Sequence, residues 1–250
     1  MRWFEWLVLG SGILLEFSVI AQLLRWRVWR SFPVYSIYIV FVLCRDLATV
    51  VTVSHPGTYF FVYWLSAPVD ILLTTLATLE SFWRVFRSFH LFRWFRFALP
   101  VAIAVALAYS SWRGYRFPPV EATPVDAAII QSAVASHYVI LSIAILFFLL
   151  AALLHVSWRI HEHRLILGFG VASLAFVFGG SVRAVFGSHF DWISQQVPPI
   201  GYQVALLIWL SAAVHPVPEN HRLAAPPVEN LDNVKFQLRN VRSFVRKDTR

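Results

Sequence analysis

The sequence predicts an all-α, polytopic membrane protein with seven transmembrane helices, an N-terminus outside and a cytoplasmic C-terminus. Apolar residues make up 58% of the chain and charged residues only 14%, whereas a soluble domain carries about 25% charged residues. Helices that face lipid need no charged surface, which explains the deficit. Seven apolar stretches are long enough to cross a bilayer, and arginine residues gather on alternate sides of them.

Each predicted span is an apolar segment close to the roughly 20 residues that a helix needs to cross the hydrocarbon core. In chain order the spans are Phe4–Leu24, Pro33–Ser54, Tyr59–Trp83, Phe95–Trp112, Ile129–His155, Leu165–Gly187 and Pro199–His215. The first superficially resembles a signal peptide. However, Glu16 interrupts its apolar run, and no small-residue cleavage site follows. We therefore expect it to be retained as a helix.

The basic loops predict the orientation, because cytoplasmic loops are enriched in lysine and arginine. Before the tail, one side receives Arg25, Arg27, Arg30, Arg84, Arg87, Arg93, Arg96, Arg159 and Arg164. The other side receives only Arg2, Arg113 and Arg116, with Arg183 close to its surface. The first side is therefore expected to be cytoplasmic, and the protein to be a multi-pass component of the cell membrane.

The chain is predicted to divide into a membrane domain at residues 1–215, a Pro- and Ala-rich linker at residues 216–228 and a basic tail at residues 229–250. Apolar residues recur in the tail at steps of three and four, namely Leu231, Val234, Leu238, Val241 and Val245. This spacing predicts an amphipathic helix that lies on anionic headgroups of the inner leaflet. Pairing with a protein partner or a second copy, and disorder, are the alternatives.

Four ionisable residues fall at one depth of the predicted bundle. With a rise of about 1.5 Å per residue, each lies within roughly 5 Å of the midplane of its span. They come from the first three spans and are Glu16, Arg45, Asp46 and Asp70. Isolated midplane charges cost at least roughly 2.5–3.5 kcal/mol each, whereas a mutually compensating cluster is easier to tolerate. We therefore expect a buried charge cluster in which Arg45 bridges two carboxylates.

This predicted cluster has three acids and one base, so a carboxyl should be protonated or a cation should be bound. Polar residues recur at helical steps around Arg45 and Asp70, which favours stripes that face other helices or water. Two interpretations stay open. The cluster either only holds helices together, or it is a proton or cation site or an ionic switch. Nearer the inner end, Glu80 is expected to pair locally with Arg84 or Arg87.

A second group of polar residues lies towards the outer end and could line a pocket for an anionic or polar ligand. Its members are Gln131, His137, Tyr138 and Arg183. Alternatively, Arg183 extends to the outer headgroups. The predicted outer loops Ser110–Asp126 and Ser188–Pro198 either cap this pocket or are ordinary connections. The sixth span carries a stripe of small residues that lets another helix approach closely, namely Gly168, Ala172, Ala175 and Gly179.

Several chemistries are disfavoured, and no cofactor or metal is expected. The histidines lack a strong metal-ligand spacing, and Cys44 is the one cysteine. The segments Gly10-Ser11-Gly12 and Gly179-Gly180-Ser181 lack the strand–turn–helix context of a nucleophile elbow, which disfavours an intramembrane hydrolase. The net charge of +8 sits next to the predicted membrane, so lipid headgroups are a simpler partner than nucleic acid.

The seven-span plan invites comparison with retinal proteins, but the predicted last span has no lysine to hold retinal. The span Tyr59–Glu80, with its Tyr-Trp-Leu-Ser segment, resembles bacterial seven-helix membrane proteins that have no assigned function. This resemblance implies the helical plan and no activity. We therefore expect a non-enzymatic sensor or interaction subunit, with the charge cluster as an ionic lock. A proton- or cation-coupled transporter or channel for small solutes is the alternative.

Overall fold

The computed structural model describes residues 3–86, 95–117, 123–154, 160–186 and 191–215, and these ranges are helical. Their elements are α1 (Trp3–Arg25), α2 (Pro33–Thr52), α3 (Pro56–Phe86), α4 (Phe95–Arg116), α5 (Pro124–Leu153), α6 (Ile160–Phe186) and α7 (Asp191–Ala213). A short 3₁₀ turn, Val28–Arg30, joins α1 to α2. Proline occupies the first position of α2, α3 and α5, where its missing N–H has no helical partner to lose.

Within the described ranges, six helices are long and apolar enough to cross a membrane, namely α1 to α6. The predicted all-α class and membrane character are therefore confirmed. Helix α7 is not among the six, since it contains Pro198 and Pro199 and several polar side chains in its first half. The count of seven spans and the orientation stay predictions.

The helices follow the predicted order but are longer at several ends. Helix α4 continues to Arg116 and α5 begins at Pro124, so most of the predicted loop Ser110–Asp126 is helical. Helix α7 begins at Asp191, eight residues before the predicted start of the last span. The expectation of two long outer loops was therefore wrong for these residues. Hydropathy did not predict these helix ends, because they contain polar and proline residues and hydropathy does not report backbone conformation.

Six of the helices form a ring. Each of α1, α2, α3, α5, α6 and α7 contacts the next, and α7 returns to pack against α1. Helix α3 also contacts α6 across the ring, and α4 packs against the outside of α5. The first and last described helices are thus neighbours, so residues far apart in sequence meet in the bundle.

The buried core is aromatic towards the end where α2 begins. Tyr35 and Tyr38 of α2 lie against Phe169 of α6 and Trp209 of α7, with ring centroids 5.5–6.1 Å apart. The Trp209 indole Nε1 donates a hydrogen bond to the carbonyl oxygen of Leu165 at 3.0 Å. This pairing satisfies the one polar atom of a side chain that is otherwise buried.

The close contact of α6 and α7 depends on small residues. A Cβ atom on Gly168 would overlap the Trp209 indole, and one on Gly201 would overlap the side chain of Ala175. The small-residue stripe predicted on the sixth span is therefore the surface on which α7 packs.

Candidate functional site

The ion pairs of the site join α2 to α3. Arg45 Nε lies 2.9 Å from Asp46 Oδ1, and Arg45 Nη1 lies 3.1 Å from Asp70 Oδ1. The first contact is a hydrogen bond. The second is a charge contact only, because Asp70 Oδ1 has no hydrogen-bond partner of acceptable geometry among the described residues. One guanidinium therefore contacts two carboxylates from neighbouring helices.

Glu16 joins α1 to α7 beside these pairs. Its side chain is 0% exposed, and its Oε1 accepts a hydrogen bond from the Tyr202 hydroxyl at 3.0 Å. Its other oxygen, Oε2, has no hydrogen-bond partner in the described part of the chain. Glu16 lies within electrostatic range of both Asp46 and Arg45. The polar cluster, defined here as Glu16, Arg45, Asp46, Asp70 and Tyr202, therefore draws on four helices.

A second polar contact between α1 and α7 lies one to two helical turns closer to the N-terminus of α1 than Glu16. The Gln203 side-chain amide donates hydrogen bonds to the Val8 carbonyl and to the Ser11 hydroxyl, both at 2.7 Å. Sequence analysis missed Tyr202 and Gln203. Their position in the sequence could have indicated them. They are two adjacent polar residues, and the seven residues that follow them, 204–210, are all apolar.

The cluster is only partly enclosed. The side chains of Arg45 and Asp70 are each 29% exposed, and that of Asp46 is 17% exposed. Glu16, in contrast, is sealed inside the bundle. The Arg45 and Asp70 side chains therefore reach the surface of the bundle in part, although Asp70 Oδ1, the oxygen beside Arg45, is itself buried.

Two of the helices that carry the cluster contain internal prolines. Pro68 lies inside α3, two residues before Asp70, and Pro198 and Pro199 lie inside α7, shortly before Tyr202. Each proline removes one backbone donor and so leaves a carbonyl one turn earlier without its helical partner. Helix α3 nevertheless continues without a break from Pro56 to Phe86.

The residues of the predicted outer pocket point in different directions. His137 Nδ1 lies 3.2 Å from Ser173 Oγ, and its ring stacks on Phe176 of α6 at 3.9 Å. Tyr138 faces α4 and lines an apolar groove of about 290 Å³ between α4 and α5. Gln131 is exposed. The Arg183 side chain is outside the described residues, so the pocket as a whole stays a prediction.

Glu80 makes a tertiary contact that the sequence analysis did not predict, since only local pairing with Arg84 or Arg87 was expected. Its two carboxylate oxygens accept hydrogen bonds from the backbone N–H groups of Val34 at 3.3 Å and Tyr35 at 3.0 Å. These amides belong to the first turn of α2, whose partial positive charge favours a carboxylate. Glu80 therefore caps α2 from α3.

The predicted linker at residues 216–228 and the predicted tail helix at residues 229–250 lie outside the described residues. No group of three or more histidine, cysteine or acidic side chains that could hold a metal ion occurs in the described ranges.

No protein-family model, no curated protein and no solved structure matches this chain. The resemblance of Tyr59–Glu80 to bacterial seven-helix membrane proteins stays a prediction.

Proposed function

We propose that this chain is a multi-pass protein of the cell membrane that acts as a non-enzymatic sensor or interaction subunit. The observation that carries the proposal is the bridge formed by Arg45 between Asp46 of α2 and Asp70 of α3. Such a bridge is an ionic lock: it holds two helices in one arrangement until a competing charge releases one partner.

The surroundings of the bridge support this role. Because Arg45 and Asp70 remain partly exposed, a ligand or partner helix can compete for them without unfolding the bundle. Glu16 and Tyr202 tie the same region to α7, the helix that precedes the predicted linker and basic tail. A change at the lock can thus be transmitted to the cytoplasmic side, where the tail would contact headgroups or a protein partner.

Seven spans with an outer N-terminus are part of the proposal. Helix α7 packs against α1 and α6, and it carries the buried residues Ala205, Leu206 and Trp209. We infer that α7 also crosses the membrane, because residues 204–210 are apolar and α7 packs against two helices that are long and apolar enough to span it.

A proton- or cation-coupled transporter is the second candidate, and the prolines favour it specifically. Transport sites are commonly built where helices are interrupted near the midplane. Pro68 lies two residues from Asp70, and Pro198 and Pro199 precede Tyr202. The cluster also carries more acids than bases, as a site that exchanges protons or cations requires.

Flux through liposomes separates the two candidates. A sensor should leave proton and cation flux at background, whereas a transporter should pass them under a gradient and lose flux in Asp70→Asn and Glu16→Gln. Glu162→Gln is the matched control, because Glu162 contacts Arg84 outside the cluster at 3.9 Å. Robust wild-type flux that only the two cluster variants abolish would replace the sensor with the transporter.

The one cysteine offers a direct readout of the lock. Cys44 is exposed and adjacent to Arg45, so a membrane-permeable spin label attached there reports motion of α2. We expect Asp70→Asn to increase the mobility of the label, and Glu162→Gln to leave it unchanged. Equal mobility in the wild type and in Asp70→Asn would contradict a lock between α2 and α3.

A further inference from the structure

The connection between α1 and α2 concentrates positive charge and exposed tryptophan. Arg25, Trp26, Arg27, Trp29 and Arg30 are all exposed. The Arg25 guanidinium lies over the Trp26 ring and that of Arg30 over the Trp29 ring, each 5.3 Å from the centroid. The sequence has no acidic residue between Glu16 and Asp46, so no nearby carboxylate along the chain neutralises these three charges.

This segment has a defined shape. Arg27 has a positive φ of 53°, which turns the chain sharply after α1. The turn brings Val28 into the core, where it is 1% exposed, with Phe32 equally buried. The arginine and tryptophan side chains on either side of Val28 are therefore displayed outwards from a fixed backbone.

Contacts from α3 hold the segment from behind. Arg84 donates a hydrogen bond to the Ser31 carbonyl, and its guanidinium lies 4.5 Å from the centroid of the Phe32 ring. Glu80 caps the following helix at Val34 and Tyr35. The positions of the exposed arginines are thus set by packing before any ligand binds, which lowers the entropic cost of binding.

The segment also lies at a suitable depth. At 1.5 Å per residue, the 23 residues of α1 span about 35 Å, slightly more than the roughly 30 Å of a hydrocarbon core. The end of α1 therefore reaches the headgroup layer. Tryptophan prefers this layer because its ring is apolar and its N–H is polar, and guanidinium groups pair with phosphate oxygens there.

We propose that residues 25–30 form a binding site for the headgroup of an anionic phospholipid. The guanidinium groups of Arg25, Arg27 and Arg30 bind its phosphate oxygens, and the rings of Trp26 and Trp29 contact the start of its acyl chains. The proposal requires only that the bundle sits in a membrane. It does not depend on whether the polar cluster is a lock or a transport site.

Native mass spectrometry of the full-length protein in detergent tests the site, with phosphatidylglycerol and phosphatidylcholine as probes. We expect the wild type to retain phosphatidylglycerol severalfold more than phosphatidylcholine. The variant R25Q/R27Q/R30Q should lose this preference, and R25K/R27K/R30K should keep part of it. R113Q/R116Q is the control, because Arg113 and Arg116 are exposed at the end of α4.

Two further results decide the proposal without relying on the triple variant folding. Brominated phosphatidylglycerol should quench wild-type tryptophan fluorescence more than brominated phosphatidylcholine, and Trp29→Phe should reduce that difference. Inorganic phosphate at equal concentration should not displace the lipid. The proposal is overturned if neither probe is preferred, if R113Q/R116Q loses the preference as fully as the triple glutamine variant, or if free phosphate competes equally well.

Discussion

At the scale of single residues, the stability of a charged side chain buried in a membrane depends on the partners that it contacts. Arg45 donates a hydrogen bond to Asp46 and makes a charge contact with Asp70, and Tyr202 donates a hydrogen bond to one oxygen of Glu16. Removing the shared base leaves two carboxylates facing each other in a low-dielectric environment, whereas removing one acid leaves the base with another partner.

Arg45→Ala should therefore lower thermal stability in detergent more than Asp70→Asn. Breaking a buried pair costs about 3–5 kcal/mol, and the partial exposure of Arg45 puts the expected loss at the lower end of this range. Asp70→Asn should cost less because it removes one of the excess acids. Arg113→Ala, at an exposed site, is the control. An unchanged melting temperature for Arg45→Ala would show that the charged residues of the polar cluster do not form a shared network.

At the scale of helices, small residues determine which elements approach closely. Gly168 accommodates the buried Trp209 ring, and Gly201 accommodates Ala175. Neither contact requires unusual backbone angles, so the glycines are needed here for space and not for conformational freedom. Gly180 is on α6, like Gly168, but it is exposed and has open space where a Cβ atom would lie.

Gly168→Ala should destabilise the bundle, since its methyl group would overlap a ring that cannot move without disturbing Tyr35 and Phe169. Overpacking of this kind costs about 1–3 kcal/mol. Gly180→Ala should be neutral or slightly stabilising, because alanine has the higher helix propensity. Thermal unfolding followed by circular dichroism compares the two. A similar response of both variants would argue against the tight α6–α7 contact.

At the scale of the whole molecule, the return of α7 to α1 closes the ring and joins the first helix to the helix that precedes the tail. The same closure brings several chain segments together at one end. There the Arg84 side chain contacts Ser31 and Glu162, and His161 Nε2 lies 2.9 Å from the His215 carbonyl.

Cysteine labelling tests the proposed orientation and the crossing of α7. In a Cys44→Ser background, Arg116→Cys should react with an impermeant thiol reagent from outside, because it is exposed at the end of α4. Arg30→Cys and Gln237→Cys should react only after the membrane is permeabilised. Reaction of Gln237→Cys from outside, with Arg30→Cys still protected, would show that α7 does not cross the membrane.

Much of the helical plan followed from the sequence by itself, because a lipid environment demands apolar segments of a fixed length and helices that satisfy their own backbone hydrogen bonds. The contact between Arg45 and Asp70 agrees with the predicted shared level of these residues along neighbouring helices, whereas their depth in a membrane stays a prediction. The ends of α4 and α7 were not, because hydropathy falls at helix ends that remain helical.

Only the tertiary structure showed which polar groups of different helices contact each other. Nothing in the local sequence pairs Glu16 with Tyr202, which lies 186 residues later, or assigns Glu80 to the amides of α2. Glu80 was expected to pair along its own helix, and Arg84 does lie within electrostatic range of it, but its carboxylate also reaches a helix N-terminus that packing brings alongside α3. The periodicity of the sequence shows which face of a helix is polar. The packing of whole helices determines which neighbouring helix that face contacts.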